Sequence, residues 1–208
     1  MAYDSSWLSP SKLSGNGNDT VSVSALSDNT GRTARSTVVT FKAANCEDVE
    51  RTVNQAGKPE FVSFDSATAT VAKAGGSVII TGKSNSSKLT FSLGSGGTLN
   101  ITLPSSYTAA GTSTDNGVAI TGDPGSTSEY AFNITISNIA ENTSLDTLTK
   151  QLIVTDNGSH TATCNISQSA GDPTLSVSPA SVDLAWNAYT ESGSASFAVT
   201  SNTSWTVE

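Results

Sequence analysis

Two stretches of this sequence read as the same pair of strands, and that repeat limits the possible folds more than any other feature. Residues 29–57 run NTGRTARSTVVTFKAANCEDVERTVNQAG, and residues 142–171 run NTSLDTLTKQLIVTDNGSHTATCNISQSAG. Asn29 and Gln55 stand 113 positions before Asn142 and Gln168. In both stretches apolar and β-branched residues alternate with polar ones on either side of a polar turn, the period-two pattern of half-buried strands. The residues C-terminal to each stretch repeat as well. Each stretch closes on Ala-Gly, then a charged residue and Pro59 or Pro173, and each goes on to an alternating strand (SVIIT, SASFAVT) and a Ser-Asn turn. A repeat of about 110 residues is the size of one β-sandwich domain.

Sorted by this repeat, the 208 residues divide into three. Residues 59–169 form a complete immunoglobulin-like sandwich, residues 1–57 the C-terminal part of another, and residues 172–208 the N-terminal part of a further one. The fold class is all-β: tandem immunoglobulin-like sandwich repeats, one complete and one split between the termini. Expected strands of the complete unit are FVSF, TATVA, SVIITG, LTFSLG, LNITL, GVAIT, YAFNITIS, KQLIVTD and HTATCNIS, with turns at GSGG, STDNG, GDPGSTS and DNGS. In the last piece TLSVSP, VDLAW, SASFAVT and SWTVE are the expected strands. Residues 172–208 read on into 2–57 would make about one sandwich. The missing strands are expected from a second copy, from the other end of the same chain, or from sequence beyond residue 208.

Composition supports strands and turns and points away from several functions. Charged residues are 13% and aromatic residues 6%, a poor supply for long amphipathic helices. A net charge of −8, with only ten scattered Lys and Arg, is unsuited to a phosphate backbone or an anionic membrane surface. No apolar run approaches the roughly 20 residues of a membrane span, and MAYDSSWLSPSKLSG lacks the basic and apolar regions of a secretory signal. The expectation is therefore a chain made and assembled in the cytosol, or one whose signal has been removed.

Chemistry-bearing groups are sparse. Cys46 and Cys164 have no metal-like partner at short spacing and are expected as free thiols. His160 is expected at the surface, with no carboxylate or cysteine evident beside it for base or metal chemistry. The acids do not single out a glycosidase-type pair. GSGG and GNGN are not followed by Gly-Lys-Ser/Thr and a helix, and the DNG clusters lack a calcium loop's closing Glu. No catalytic, cofactor-binding or metal residue is assigned, and no cofactor is expected.

SNTSWTVE, SSWLSPSKLSGNGNDTVSV, the Arg35-containing GRTARSTVVTF and VNQAG together resemble the BACON family (Bacteroidetes-associated, carbohydrate-binding, often N-terminal). That family has an early Ser-Asn-x-x-Trp, a later Trp-Leu, a Gly-x-Gly-Asn turn, an Arg-led strand and a terminal Gln in the same order. The middle unit is looser, with Leu89 where the first Trp would stand. The resemblance implies an immunoglobulin-like sandwich and a link to gut Bacteroidetes or their phages, whose virion proteins carry similar repeats. The resulting expectation is a non-enzymatic structural protein of a phage virion (head decoration, fibre or connector), assembled in the host cytoplasm. Its partners would be other virion proteins and copies of itself. The alternative is a carbohydrate-binding or spacer module of a secreted glycan-degrading protein, extracellular or at the cell surface. Trp7, Leu184, Phe197, Val199 and Trp205 are the expected interface residues for strand complementation. The tryptophans are expected to plug sandwich cores, and Trp186 with Tyr189, beside a turn, are the candidate glycan contacts.

Overall fold

A computed structural model describes residues 3–191 and 193–208. Among them the N-terminal piece holds β1 (Leu8–Pro10), β2 (Val23–Ala25), β3 (Arg35–Phe41) and β4 (Val49–Gln55). These make two separate antiparallel pairs, β1–β2 and β3–β4. Between the pairs lies a small core of Trp7, Leu8 and Val39, with Tyr3 and Val53 packed against it. β3 runs RSTVVTF, yet only Val39 is buried, so half of this pleat faces no second layer.

The central unit comprises β5 (Val62–Phe64), β6 (Thr68–Val71), β7 (Gly76–Ser84), β8 (Leu89–Leu93), β9 (Ser106–Ala109), β10 (Thr112–Asp115), β11 (Tyr130–Ile139), β12 (Leu148–Asp156) and β13 (Thr161–Gln168). One sheet has the order β10-β9-β11-β7-β5 and the other β6-β13-β12-β8. The opening strand is divided between the layers. β5 runs antiparallel to β7 in the first sheet, and after Asp65–Ala67 β6 runs parallel to β13 in the second. Two sheets packed in this way, antiparallel except for the β6–β13 pair, are an immunoglobulin-like sandwich.

Alternation in the sequence becomes layering. Along β11 Tyr130, Phe132, Ile134 and Ile136 point inward, and along β12 and β13 Leu152, Val154, Cys164 and Ile166 meet them from the other sheet. Phe132 sits at the centre, edge-on to Phe64 and Phe91 at centroid distances of 5.8 and 5.7 Å. Gly82 makes room for it, because a Cβ there would lie 2.3 Å from the Phe132 ring and 2.2 Å from the Ser63 carbonyl. Burial pushes the Cys164 thiol above its ordinary pKa.

The repeat is reproduced in register. β3–β4 pairs Arg35 with Gln55 as β12–β13 pairs Leu148 with Gln168. The turn before each hairpin is built by its asparagine. Asn29 Oδ1 accepts the Gly31 N–H at 3.0 Å and its Nδ2 donates to the Thr33 carbonyl at 2.8 Å. Asn142 does the same with the Ser144 N–H and the Asp146 carbonyl, at 3.0 and 2.8 Å. Gln55 donates to the Ser27 carbonyl at 3.0 Å, and Gln168 to the Ala140 carbonyl at 2.8 Å.

Residues after Gly171 hold β14 (Leu175–Ser178) and β15 (Ala198–Ser201), one antiparallel pair. No described residue of this piece enters either core cluster.

Four expected strands are not strands. LNITL lies outside the ladder, although Leu99 is buried and its N–H donates to the Thr149 carbonyl at 2.9 Å. GVAIT contributes one isolated bridge, Lys88 to Ala119, and a buried Ile120. Here apolar residues are buried from irregular backbone, which alternation cannot distinguish from a strand. VDLAW and SWTVE are unpaired because, within this chain, no neighbouring strand offers them an edge. Conversely STDNG, expected as a turn, supplies the end of β10. That strand folds back on β9 through Ala110 and Gly111, with φ of 49° and 78°, a two-residue turn whose hand matches the strand twist.

The layering makes a stability prediction. Phe132→Ala should cost about 3–5 kcal/mol in denaturant unfolding through the cavity it leaves. Ile79→Ser, on the outer face of β7, should change stability by no more than about 0.5 kcal/mol. Equal losses for the two would contradict the assignment of faces.

Candidate functional site: a clamped junction between repeats

A polar cluster joins the N-terminal piece to the central unit. The Asn29 turn presents Arg32 across the boundary, where its guanidinium forks onto Asp123, Nη1 to Oδ2 at 2.6 Å and Nη2 to Oδ1 at 2.8 Å. The same group donates to the Asn85 carbonyl from Nη2 at 2.6 Å and from Nε at 3.1 Å, and Nε lies 3.0 Å from Glu60 Oε1. Such two-pronged, charge-assisted contact fixes orientation as well as distance. The hydrogen bonds from Arg32 hold the Asp123 carboxyl below its usual range, and those to Asp123 push the Arg32 pKa up. Backbone contacts complete the junction: Lys58 N–H donates to the Gly31 carbonyl at 2.8 Å, and Ser126 Oγ to the Thr30 carbonyl. Gly57 is required at this place, since a Cβ would stand 2.2 Å from the Arg32 carbonyl.

Glu60 passes the network inward. It is buried and accepts from Ser86 Oγ and the Ser87 N–H, both at 3.2 Å. Ser86 Oγ in turn accepts the Asn157 N–H at 2.9 Å. In the same DNGSH turn the buried Asp156 accepts the His160 N–H at 2.8 Å, and its Oδ2 lies 2.9 Å from His160 Nδ1. The carboxylate that the sequence did not reveal beside His160 is therefore present, because the tight turn folds position i+4 back onto i. The half-exposed imidazole and its aspartate hold the hairpin together. Among the described residues no three metal-ligating side chains gather.

Trp7 is buried, with Arg35 stacked 4.8 Å above its ring. Arg35 also donates to Gln55 Oε1 at 2.8 Å and the Ser27 carbonyl at 2.7 Å, tying the ring to the closing glutamine. Val199 of β15 stands opposite Val177, and Phe197 immediately precedes that strand. Trp205 borders a shallow depression with Leu145 and Ser201–Ser204. Leu184 is exposed, and Trp186 and Tyr189 stand on a turn at 97% and 99% exposure, so these two plug no core. Trp7 thus lies in one terminal piece, and Leu184, Phe197, Val199 and Trp205 lie in the other. The chain itself does not bring the five together.

Residues 2–56 match the BACON family model, described as "Putative binding domain, N-terminal". That match covers about a quarter of the chain. The match spans β1–β4 and contains both Trp7 and Arg32. No curated protein matches the chain. Among solved structures it is similar to protocadherin gamma B7 extracellular cadherin domains 1–4, at 14% identity over 83% of this chain and 44% of that one, with a TM-score of 0.34. Protocadherin gamma B2 extracellular cadherin domains 1–5 match at 11% identity over 85% and 34%, with a TM-score of 0.34. An endo-fucoidan hydrolase of glycoside hydrolase family 107 matches at 11% over 82% and 22%, with a TM-score of 0.24. The chain spans less than half the length of each, and likenesses this loose bear on neither its fold nor its activity.

Sequence reading missed the clamp. Arg32 and Asp123 are 91 positions apart, and no local pattern links a turn arginine to a distant loop aspartate.

The burial of the two cysteines predicts their reactivity. In native protein Cys46 should react readily with a thiol reagent, while Cys164 should react only on unfolding. Two rapidly reacting thiols, counted spectrophotometrically in native buffer, would contradict the placement of β13.

Proposed function

We propose that this chain is a non-enzymatic structural spacer that holds immunoglobulin-like units at fixed geometry within a phage virion, as a head-decoration, fibre or connector component. The observation that carries this reading is the Arg32 clamp. A guanidinium held by Asp123, Glu60 and the Asn85 carbonyl restrains the angle between units, whereas a flexible tether would need no such contact. The match of residues 2–56 to a family described as a putative binding domain supports a binding or spacer role. A second reading is favoured by one feature. Trp186 and Tyr189 expose two aromatic faces from one turn, as a carbohydrate-stacking platform would, in a spacer of a secreted glycan-degrading protein.

Purified particles of the phage encoding the chain should contain it by mass spectrometry, and antibody should decorate them in electron micrographs. Recovery of the chain only in a secreted, glycosidase-bearing fraction, with glycan-array binding lost in Trp186→Ala, would favour the second reading.

The clamp itself is testable in solution. Arg32→Ala should cost about 1–3 kcal/mol, because it strands the buried Glu60 and removes several charge-assisted hydrogen bonds. Small-angle scattering should then show a broader spread of inter-unit distances than in the parent chain. The pH dependence comes from Asp123. Its folded pKa is depressed, so its contribution is complete above the unfolded value of roughly 4 and is lost as pH falls through the lower folded value. Scattering unchanged by either Arg32→Ala or acid would count against the clamp.

A further inference from the structure

We infer that Asn157 is a self-modification site, whose carboxamide becomes a carboxylate or an isoaspartyl link through attack by the Gly158 backbone nitrogen. Asn116, in the same Asp-Asn-Gly tripeptide, is protected from that reaction by the fold. The inference concerns two turns of the central unit and is independent of the spacer reading.

The chain contains three Asn-Gly steps, at 16–17, 116–117 and 157–158, and the last two both follow an aspartate. A glycine in second place has no Cβ to hinder its own nitrogen. The reaction balances with water alone. Hydroxide takes the proton of the Gly158 N–H, and the nitrogen bonds to Asn157 Cγ. The Cγ–Nδ2 bond breaks, and Nδ2 leaves as ammonia after taking a proton from water, which restores the hydroxide. Water then opens the five-membered imide at one carbonyl or the other, leaving aspartate or an isoaspartyl backbone link. Two groups must be free for this to happen: the asparagine carboxamide and the glycine N–H.

Around Asn116 both groups are engaged. Its Oδ1 accepts the Phe91 N–H at 2.7 Å and its Nδ2 donates to the Phe91 carbonyl at 2.9 Å, so the side chain pairs with the outer edge of β8 as a strand residue would. The Gly117 N–H donates to the Leu89 carbonyl at 3.0 Å. Conversion there would set a carboxylate oxygen against the Phe91 carbonyl. In the β12–β13 turn the same tripeptide is held by other atoms. The Asp156 N–H donates to the His160 carbonyl at 2.9 Å and the Ser159 N–H to the Asp156 carbonyl at 3.2 Å, while the Asp156 carboxylate takes the His160 N–H. The Asn157 N–H is used by Ser86 Oγ. Among the described residues neither the Asn157 carboxamide nor the Gly158 N–H has a hydrogen-bond partner, and Asn157 is exposed. Glycine is favoured at 158, because a Cβ would crowd His160 Nδ1 at 3.1 Å and Asp156 Oδ1 at 3.3 Å. The residue that lets the turn close is therefore the one that makes its neighbour labile. Conversion also changes the turn. It adds a carboxylate beside the buried Asp156, and the isoaspartyl form lengthens by a methylene the backbone whose N–H reaches Ser86 and, through it, Glu60.

The two matched tripeptides supply the test. Folded full-length chain is incubated at mildly alkaline pH, sampled over time and mapped by peptide mass spectrometry, with electron-transfer fragmentation to separate aspartyl from isoaspartyl products. Asn157 should convert to both. Conversion at Asn116 should be at least about tenfold slower, a factor that requires only about 1.4 kcal/mol of local opening before reaction. Asn16, exposed between β1 and β2, is the reference for an Asn-Gly step outside a hairpin turn and should convert alongside Asn157. In denaturant the rates at Asn116 and Asn157 should converge, because the tripeptide is the same and the fold that distinguishes them is gone. The chromatographically separated isoaspartyl form should exchange its Ser87 amide faster than fresh chain, since that N–H is held by Glu60 in the same network. Asn157 still intact after half of Asn16 has converted, or Asn116 keeping pace with Asn157 in the folded chain, would overturn the inference. Neither result touches the Arg32 scattering measurement, by which the spacer reading stands or falls separately.

Discussion

An apolar sheet face must be covered by a second layer, and the organisation of this protein depends on where that condition is met. In the central unit the inward side chains of β12 and β13 meet those of β7 and β11, and the Phe132 ring locks the layers together. Its bulk is accommodated because β7 carries Gly82 opposite it. The same hairpin occurs in the N-terminal piece as β3–β4, with the same register and the same asparagine turn, but over it lies only the short β1–β2 pair. Identical local structure therefore carries unequal burial. The difference lies in which neighbours are present, not in the hairpin.

The boundary between these units is held by different physics. The core of the central sandwich is a cluster of apolar side chains, whereas the junction is polar: Arg32 reaches Asp123, Glu60 and a backbone carbonyl, and the network continues through Ser86 to the turn that holds Asp156 and His160. Polar contacts fix angles, where apolar ones mainly favour proximity. The position equivalent to Arg32 at the next boundary is Leu145, which lies beside Ser201–Trp205 in an open depression. Two junctions built from one repeat are thus unlike, one forked by charge and the other lined by an aliphatic side chain.

Much of the sandwich is readable residue by residue. KQLIVTD and HTATCNIS alternate cleanly because their β12 and β13 faces divide between core and solvent, and both became strands. GVAIT alternates just as well but is held by a single bridge, since Ile120 is buried from a loop. STDNG looks like a turn, and its polar residues nevertheless pair as an edge strand against β9, where side chains contribute little and the backbone ladder decides. VDLAW has the pattern of β6 without the β13 edge that makes β6 a strand. The candidate site was less legible than the fold. Trp7 could be placed in a core from its motif, but Arg32, Glu60 and Asp123 are distant in sequence and ordinary in type.

By itself the sequence determined the all-β class, the 113-residue repeat and the turns that punctuate it, because alternation, glycine and asparagine act on neighbours a few bonds away. Only the tertiary structure decided that Arg32 closes a junction, that Asp156 backs His160, and that Leu184 and Phe197 stand uncovered. Those outcomes depend on which distant surfaces meet. An arginine in a turn or a leucine in an alternating run has the same local pattern whether or not a partner lies across from it.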